Sequence, residues 1–117
     1  MIQHIVLFNP KVGLADDDIR SYAQTTIDVL TRCPHVERFT LGRRVEIDPG
    51  YTRSFGDKTY GYAAVVEFEN PGALVAYLTS PDHHELGRLF WEMCESTVVV
   101  EVEVAAGTNV ETLETLT

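Results

Sequence analysis

Residues 77–103 read YLTSPDHHELGRLFWEMCESTVVVEVE, and the order of signals in this stretch decides the fold. Ser80-Pro81 places an N–H-accepting side chain just before a proline, the signature of a helix start. A helix carrying Leu74, Tyr77 and Leu78 therefore breaks there and a second one begins. Leu86, Leu89, Phe90 and Met93 recur at helical spacing,. From Thr97 to Val104 the period drops to two: Val98, Val100, Val102 and Val104 fall on one face, Glu101 and Glu103 on the other. Such alternation is a strand.

The same grammar extends upstream. Asn70-Pro71 repeats the helix-start signal,. Before it, Gly61 to Glu69 reads as a strand, with Ala63 and Val65 alternating against Tyr62, Ala64, Val66 and Phe68. Residues 48–60 hold Asp-Pro-Gly, Ser54, Gly56 and Asp57, which predicts a loop or long hairpin connection,. With Arg43 and Arg44 just before it, Arg53 and Lys58 make 43–58 the basic region of the chain. Glu37 to Ile47 reads as a strand in which Phe39 and Leu41, then Val45 and Ile47, alternate with polar neighbours, Gly42 marking a bulge between them,. Asp16, Asp17 and Asp18 open a helix over 16–32, their carboxylates accepting bonds from free N–H groups, with Ile19, Tyr22, Ala23, Ile27 and Leu30 as its inward stripe and Pro34 beyond its end,. Ile2 to Phe8 is the first strand, apolar on both faces and ended by Asn9-Pro10,.

The resulting order, β-α-β-β-α-(α)-β, predicts an α+β fold of the ferredoxin-like, split βαβ kind: a four-stranded antiparallel sheet with its helices on one face. The other face keeps apolar residues from the first, third and fourth strands. A small domain does not leave such a face in water. A second copy of the same sheet, brought by a two-fold axis, covers it, so the sequence predicts a homodimer packed sheet to sheet.

Length and composition agree. The chain has 117 residues, enough for one domain,; residues 1–104 hold the predicted elements, and 105–117 are expected to be a partly ordered tail. The formal net charge is −9. Residues 1–60 carry eight basic and eight acidic side chains, whereas 61–117 carry Arg88 against ten acidic ones. Nucleic acid and anionic membranes, which need clustered Lys and Arg, are not expected partners. No apolar run approaches the ~20 residues of a membrane helix, and no basic-then-apolar leader opens the chain, so cytoplasmic residence is expected. Cys33 and Cys94 are far apart and read as buried spectators,. No cluster resembles a closed zinc site, and no Gly-rich nucleotide motif is present, so neither metal nor cofactor is expected.

The segments QHIVLF, VVEFEN and the stretch at 77–103 resemble the stress-responsive A/B barrel (Dabb) family of dimeric α+β barrels, over about residues 1–104. His4 in the first strand, the aromatic-acidic strand before a short helix, and Tyr77 followed by Pro81-Asp82-His83 carry the resemblance. The family includes plant stress-associated members and a polyketide cyclase. In that cyclase a Tyr and a His six residues later are the catalytic pair, and they match Tyr77 and His83. The first-strand His matches His4. Tyr62 stands where that cyclase has another pocket His, and Ser80 where the family often has His.

Two classes of function follow. In the first, each protomer holds an apolar or aromatic small molecule between sheet and helices, in a pocket walled by His4, Tyr62 and Phe90. His83 shares a helical stripe with Leu86 and Phe90 and acts as base, and Tyr77 stabilises the resulting enolate. The chemistry is that of a cofactor-free cyclase or isomerase-type lyase. In the second, Tyr77 and His83 are packing residues, His4 bonds within the core, and the protein is a non-catalytic, stress-related or structural homodimer. Residue types and spacing leave both open. A haem-degrading or quinol-oxidising role follows only from fold analogy and ranks last.

Overall fold

The computed structural model describes residues 1–46 and 59–104. The predicted tail at 105–117, the predicted loop over residues 48–58 and the last residue of the predicted second strand, Ile47, lie outside the described residues. The elements are β1 (Ile2–Pro10), α1 (Asp16–Arg32), β2 (Arg38–Arg43), β3 (Tyr62–Phe68), α2 (Pro71–Leu78), α3 (Pro81–Met93) and β4 (Cys94–Glu103). The sheet runs β2-β3-β1-β4, with every neighbouring pair antiparallel. β1 and β2, joined through α1, are thus parallel with β3 between them, which is the expected split βαβ arrangement.

Register assigns the faces, because residues opposite one another in a ladder point the same way. His4 lies opposite Val66 on β3 and Glu101 on β4. Ile2, Val6 and Phe8 share its side with Phe68, Ala64 and Tyr62, and with Glu103, Val99 and Thr97. All three helices cover this face. Phe68, Val29, Leu30, Leu74, Tyr77 and Leu86 belong to one buried cluster between sheet and helices. The opposite face presents Ile5, Leu7, Val65, Val98, Val100 and Val102, and no described element covers it. At one end of that face Glu67 accepts bonds from Arg38 (2.7 and 3.2 Å) and Gln3 (3.0 Å). Arg38, and then Gln3, hold the Glu67 carboxyl below the usual carboxylate range,.

Several local expectations change. α1 spans the predicted residues, but its inward stripe is Tyr22, Thr26, Val29 and Leu30, continued by Cys33 just past its end; Ile19 and Ile27 are exposed and Ala23 lies outward. The i, i+4 row at 19, 23 and 27 is apolar yet points away from the sheet. Its N-cap is Ala15, with no side-chain cap, so Asp16, Asp17 and Asp18 act on the helix through their charge near its positive end,. β2 stops at Arg43: Val45 is exposed beyond it, and Gly42 pairs regularly with Ala63 without a bulge. The register shift falls instead between Asn9 and Pro10, where β1 runs on past Phe8 alongside β4, which starts early at Cys94. Among the described residues no helix is long and apolar enough to cross a membrane.

Candidate functional site

The α2–α3 break fixes the two residues that the sequence singled out. Ser80 caps α3: its Oγ accepts from the His83 amide (3.2 Å) and donates to the Tyr77 carbonyl (2.6 Å). The Ser80 amide also donates to the Tyr77 carbonyl (3.0 Å). One serine therefore ties the last turn of α2 to the first turn of α3, and Tyr77 and His83 are presented side by side, ring centres 5.0 Å apart. Ser80→Ala is expected to cost about 1 kcal/mol, the usual loss of an N-cap, measured by urea unfolding; no loss would mean that the cap does not hold this junction.

His4 meets this pair from the sheet. Its ring centre is 6.0 Å from Tyr77 and 6.3 Å from His83, and its Nδ1 lies 2.7 Å from a carboxylate oxygen of Glu101. His4 is buried, whereas the Glu101 side chain keeps 40% of its surface exposed. A carboxylate at that distance accepts a bond from a proton on Nδ1 and so fixes the orientation of the ring,. The four side chains line one cavity of about 260 Å³ together with apolar walls that include Val66, Leu86 and Phe90.

The electrostatics separate the roles. Burial first, then the neighbouring His4, holds the His83 imidazole below its ordinary value, while the Leu78 backbone and Glu101 push it up. The net lowering keeps His83 neutral at pH 7. Burial first, with the nearby Glu101 and Asp82 carboxylates adding to it, drives the Tyr77 phenol upward, so it stays protonated,. The lowered His83 value has a consequence for stability. The unfolded chain takes up this proton in the ordinary imidazole range near about 6.5, whereas the folded chain resists it. Stability from this group is thus present at neutral pH and is lost as pH falls below that range. Wild type is expected to lose more stability between about pH 7 and pH 5 than His83→Asn in paired urea titrations; equal losses would show that His83 is not held neutral.

A family model, the stress responsive A/B barrel domain, matches residues 2–104. The chain belongs to the Dabb family. No curated protein matches this Dabb chain at a significant level. Among solved structures, an Arabidopsis thaliana protein shares 17% identity at a TM-score of 0.76, covering 93% of this chain and 100% of that one. A hydroxynitrile lyase from Passiflora edulis shares 18% at 0.75, covering 92% and 91% of the two chains. A dimeric ferredoxin-like protein of unknown function from Jannaschia shares 23% at 0.69, covering 88% and 98%. At these identities the likeness is one of fold.

Within the Dabb fold the predicted residues separate. His4, Tyr77, His83 and Phe90 line the same cavity. Tyr62 does not: it is 40% exposed and stacks on Phe8 at 5.6 Å, with Phe8 in turn 5.0 Å edge-on from Phe90. It stands one ring outside the cavity, because its β3 position is opposite Phe8 rather than His4. His84 and His35 are exposed, and Cys33 and Cys94 are buried free thiols; burial raises the Cys94 value, which suits a spectator.

Glu101 is the residue that sequence reading did not single out. The signal was present in the alternation of β4. Once Val98, Val100 and Val102 are assigned to the uncovered face, Glu101 must point under the helices. A carboxylate there needs a partner, and His4 is the polar residue directly across the ladder,.

Proposed function

We infer that this protein is a homodimer in which each protomer binds a small, largely apolar or aromatic molecule between sheet and helices and moves a proton on it. The observation that carries this reading is the meeting of His4, Tyr77, His83 and Glu101 at one cavity whose remaining walls are mostly apolar,. His83, neutral at pH 7, takes the proton from a C–H bond next to a carbonyl. Tyr77, protonated, donates a hydrogen bond to the oxygen on which the enolate charge gathers. His4, oriented by Glu101, faces the same space and relays or returns the proton. The carbanion then attacks a second carbonyl of the same molecule, or takes the proton back at another carbon. The reaction class is aldol-type cyclisation, isomerisation or the related lyase step, with no cofactor. One neighbour of this fold is a hydroxynitrile lyase. A purely structural role for Tyr77 and His83 predicts a filled interior beside His83, and the cavity argues against it.

The test is a thermal-shift screen with aromatic and 1,3-diketone compounds, followed by turnover assays. A bound ligand at 100 times its Kd adds about 2.7 kcal/mol, which amounts to several degrees for a domain of this size. His83→Ala is expected to keep the shift and to lose turnover by roughly 100-fold or more, the contribution of a positioned base. If no compound shifts the wild type, the pocket has no small-molecule role, and the non-catalytic homodimer becomes the better account.

The homodimer rests on the uncovered apolar face and on neighbours described as dimeric ferredoxin-like proteins. Sheet-to-sheet packing in a two-fold pair would cover Ile5, Leu7, Val65, Val98, Val100 and Val102 on both chains at once,. Residues 1–104 would form the whole folded unit.

A further inference from the structure

Gly87 stands inside α3, where glycine weakens a helix relative to alanine,. A Cβ added there would meet nothing within 4 Å, so packing does not demand its absence. Gly87 borders open space on two sides. It lines the site cavity, and it also lines an outer groove of about 520 Å³. Phe90 of α3 and Thr97 of β4 border both spaces as well. These three residues form a threshold between an inner, apolar chamber and an outer groove that carries Lys11, Trp91, Glu95 and Ser96.

Size gives the threshold a purpose. An apolar cavity of about 150 Å³ takes benzene, and sites for drug-sized molecules run from about 300 to 1,000 Å³. At about 260 Å³ the inner chamber holds a substituted ring and little more. A larger ligand extends beyond it, and the outer groove adjoins it where the two spaces share Gly87, Phe90 and Thr97.

Resting on the reading of the cavity given above, we propose that the ligand is an elongated amphiphile. Its ring-sized apolar head sits beside Tyr77 and His83, its chain crosses α3 at Gly87, and its polar end lies in the outer groove. There the Ser96 and Thr97 hydroxyls and the Lys11 ammonium offer hydrogen bonds,. Gly87 is then a specificity-determining residue: it sets the length of ligand that fits and leaves the identity of the head to the inner chamber.

The test compares two probes with one head group, 4-methylphenol and 8-(4-hydroxyphenyl)octanoic acid, by titration calorimetry on the full chain. Burying several methylenes should make wild type bind the long probe at least about tenfold more tightly than the short one. Gly87→Leu is expected to keep the short probe within about threefold and to lose at least about tenfold on the long one, since its side chain stands in the chain's path. Gly87→Ala, which adds one methyl group to a helix, should show the same pattern at smaller size, and neither variant should melt below wild type. Equal affinity of wild type for both probes, or an equal effect of Gly87→Leu on both, overturns the proposal. If neither probe binds wild type, the cavity reading fails first, and the proposal fails with it.

Discussion

Phe68→Ala is expected to destabilise the protein by about 3–5 kcal/mol, the range for truncating a buried phenylalanine. Phe68 is 0% exposed and belongs, with Val29, Leu30, Leu74 and Leu86, to the cluster between sheet and helices. It sits opposite Ile2 on β1, and its ring centre is 5.1 Å from that of Tyr77. The cluster draws on all three helices as well as the sheet, so closing the space would mean shifting several packed elements at once. Domains of this kind have about 5–15 kcal/mol in total, so the loss removes about a fifth of it or more. In urea the midpoint should fall while the slope stays constant. Phe68→Leu, which keeps most of the volume, should cost less than about 1.5 kcal/mol. A Phe68→Ala loss near that smaller figure would mean that the core collapses around the gap and that Phe68 is not its centre. The substitution also removes the wall behind Tyr77, so any ligand affinity should fall with it.

What the sequence made legible follows from period and punctuation. The Ser80-Pro81 break, the stripe of Leu86, Leu89 and Met93, and the alternation around Val98 to Val102 all hold in the structure. Each is a local pattern whose physical cause lies within a few residues. The errors come where local pattern leaves two answers. In α1 both the 19-23-27 row and the 22-26-29-30 row are helical in spacing, and only the position of the sheet selects the second. Thr26, polar by type, is buried there because its hydroxyl bonds the Tyr22 carbonyl at 2.9 Å. β2 reads longer because Val45 and Ile47 continue an alternation; its strand pairing with β3 ends at Arg43 opposite Tyr62, with one further backbone bond from the Arg44 amide to the Gly61 carbonyl (2.7 Å), and Ile47 lies outside the described residues.

The site was half legible for the same reason. Tyr77 and His83 are six residues apart across one turn, a local relation that Ser80 enforces. The His4–Glu101 contact spans 97 residues and exists only through the β1–β4 register. Slipping that register by one residue would turn Glu101 to the uncovered face. The place of Tyr62 is likewise a matter of register, four residues from the position opposite His4. Long-range pairing, which no period records, decides which polar residue enters the cavity.

Val100→Lys is expected to convert the proposed sheet-to-sheet dimer into a monomer. Val100 lies on β4 opposite Ile5, which in turn faces Val65, so the three side chains form a row across the middle of the uncovered face. Within one chain Val100 is 46% exposed, and a lysine there can reach water; strand preference costs the monomer no more than about 1 kcal/mol,. In the dimer the same change acts twice, because two-fold symmetry puts a lysine on each side of one apolar contact. Each buried ammonium costs several kcal/mol without a partner. A weakening of at least about a thousandfold, near 4 kcal/mol, follows. Light scattering after size exclusion at micromolar protein should give wild type twice the 13.1 kDa chain mass and the variant the chain mass itself. Val45→Lys, exposed and off this face, should leave the mass of wild type unchanged. A Val100→Lys protein that remains at twice the chain mass would show that the pair forms through another surface. The row of Val100, Ile5 and Val65 would then need a different partner to keep it from water.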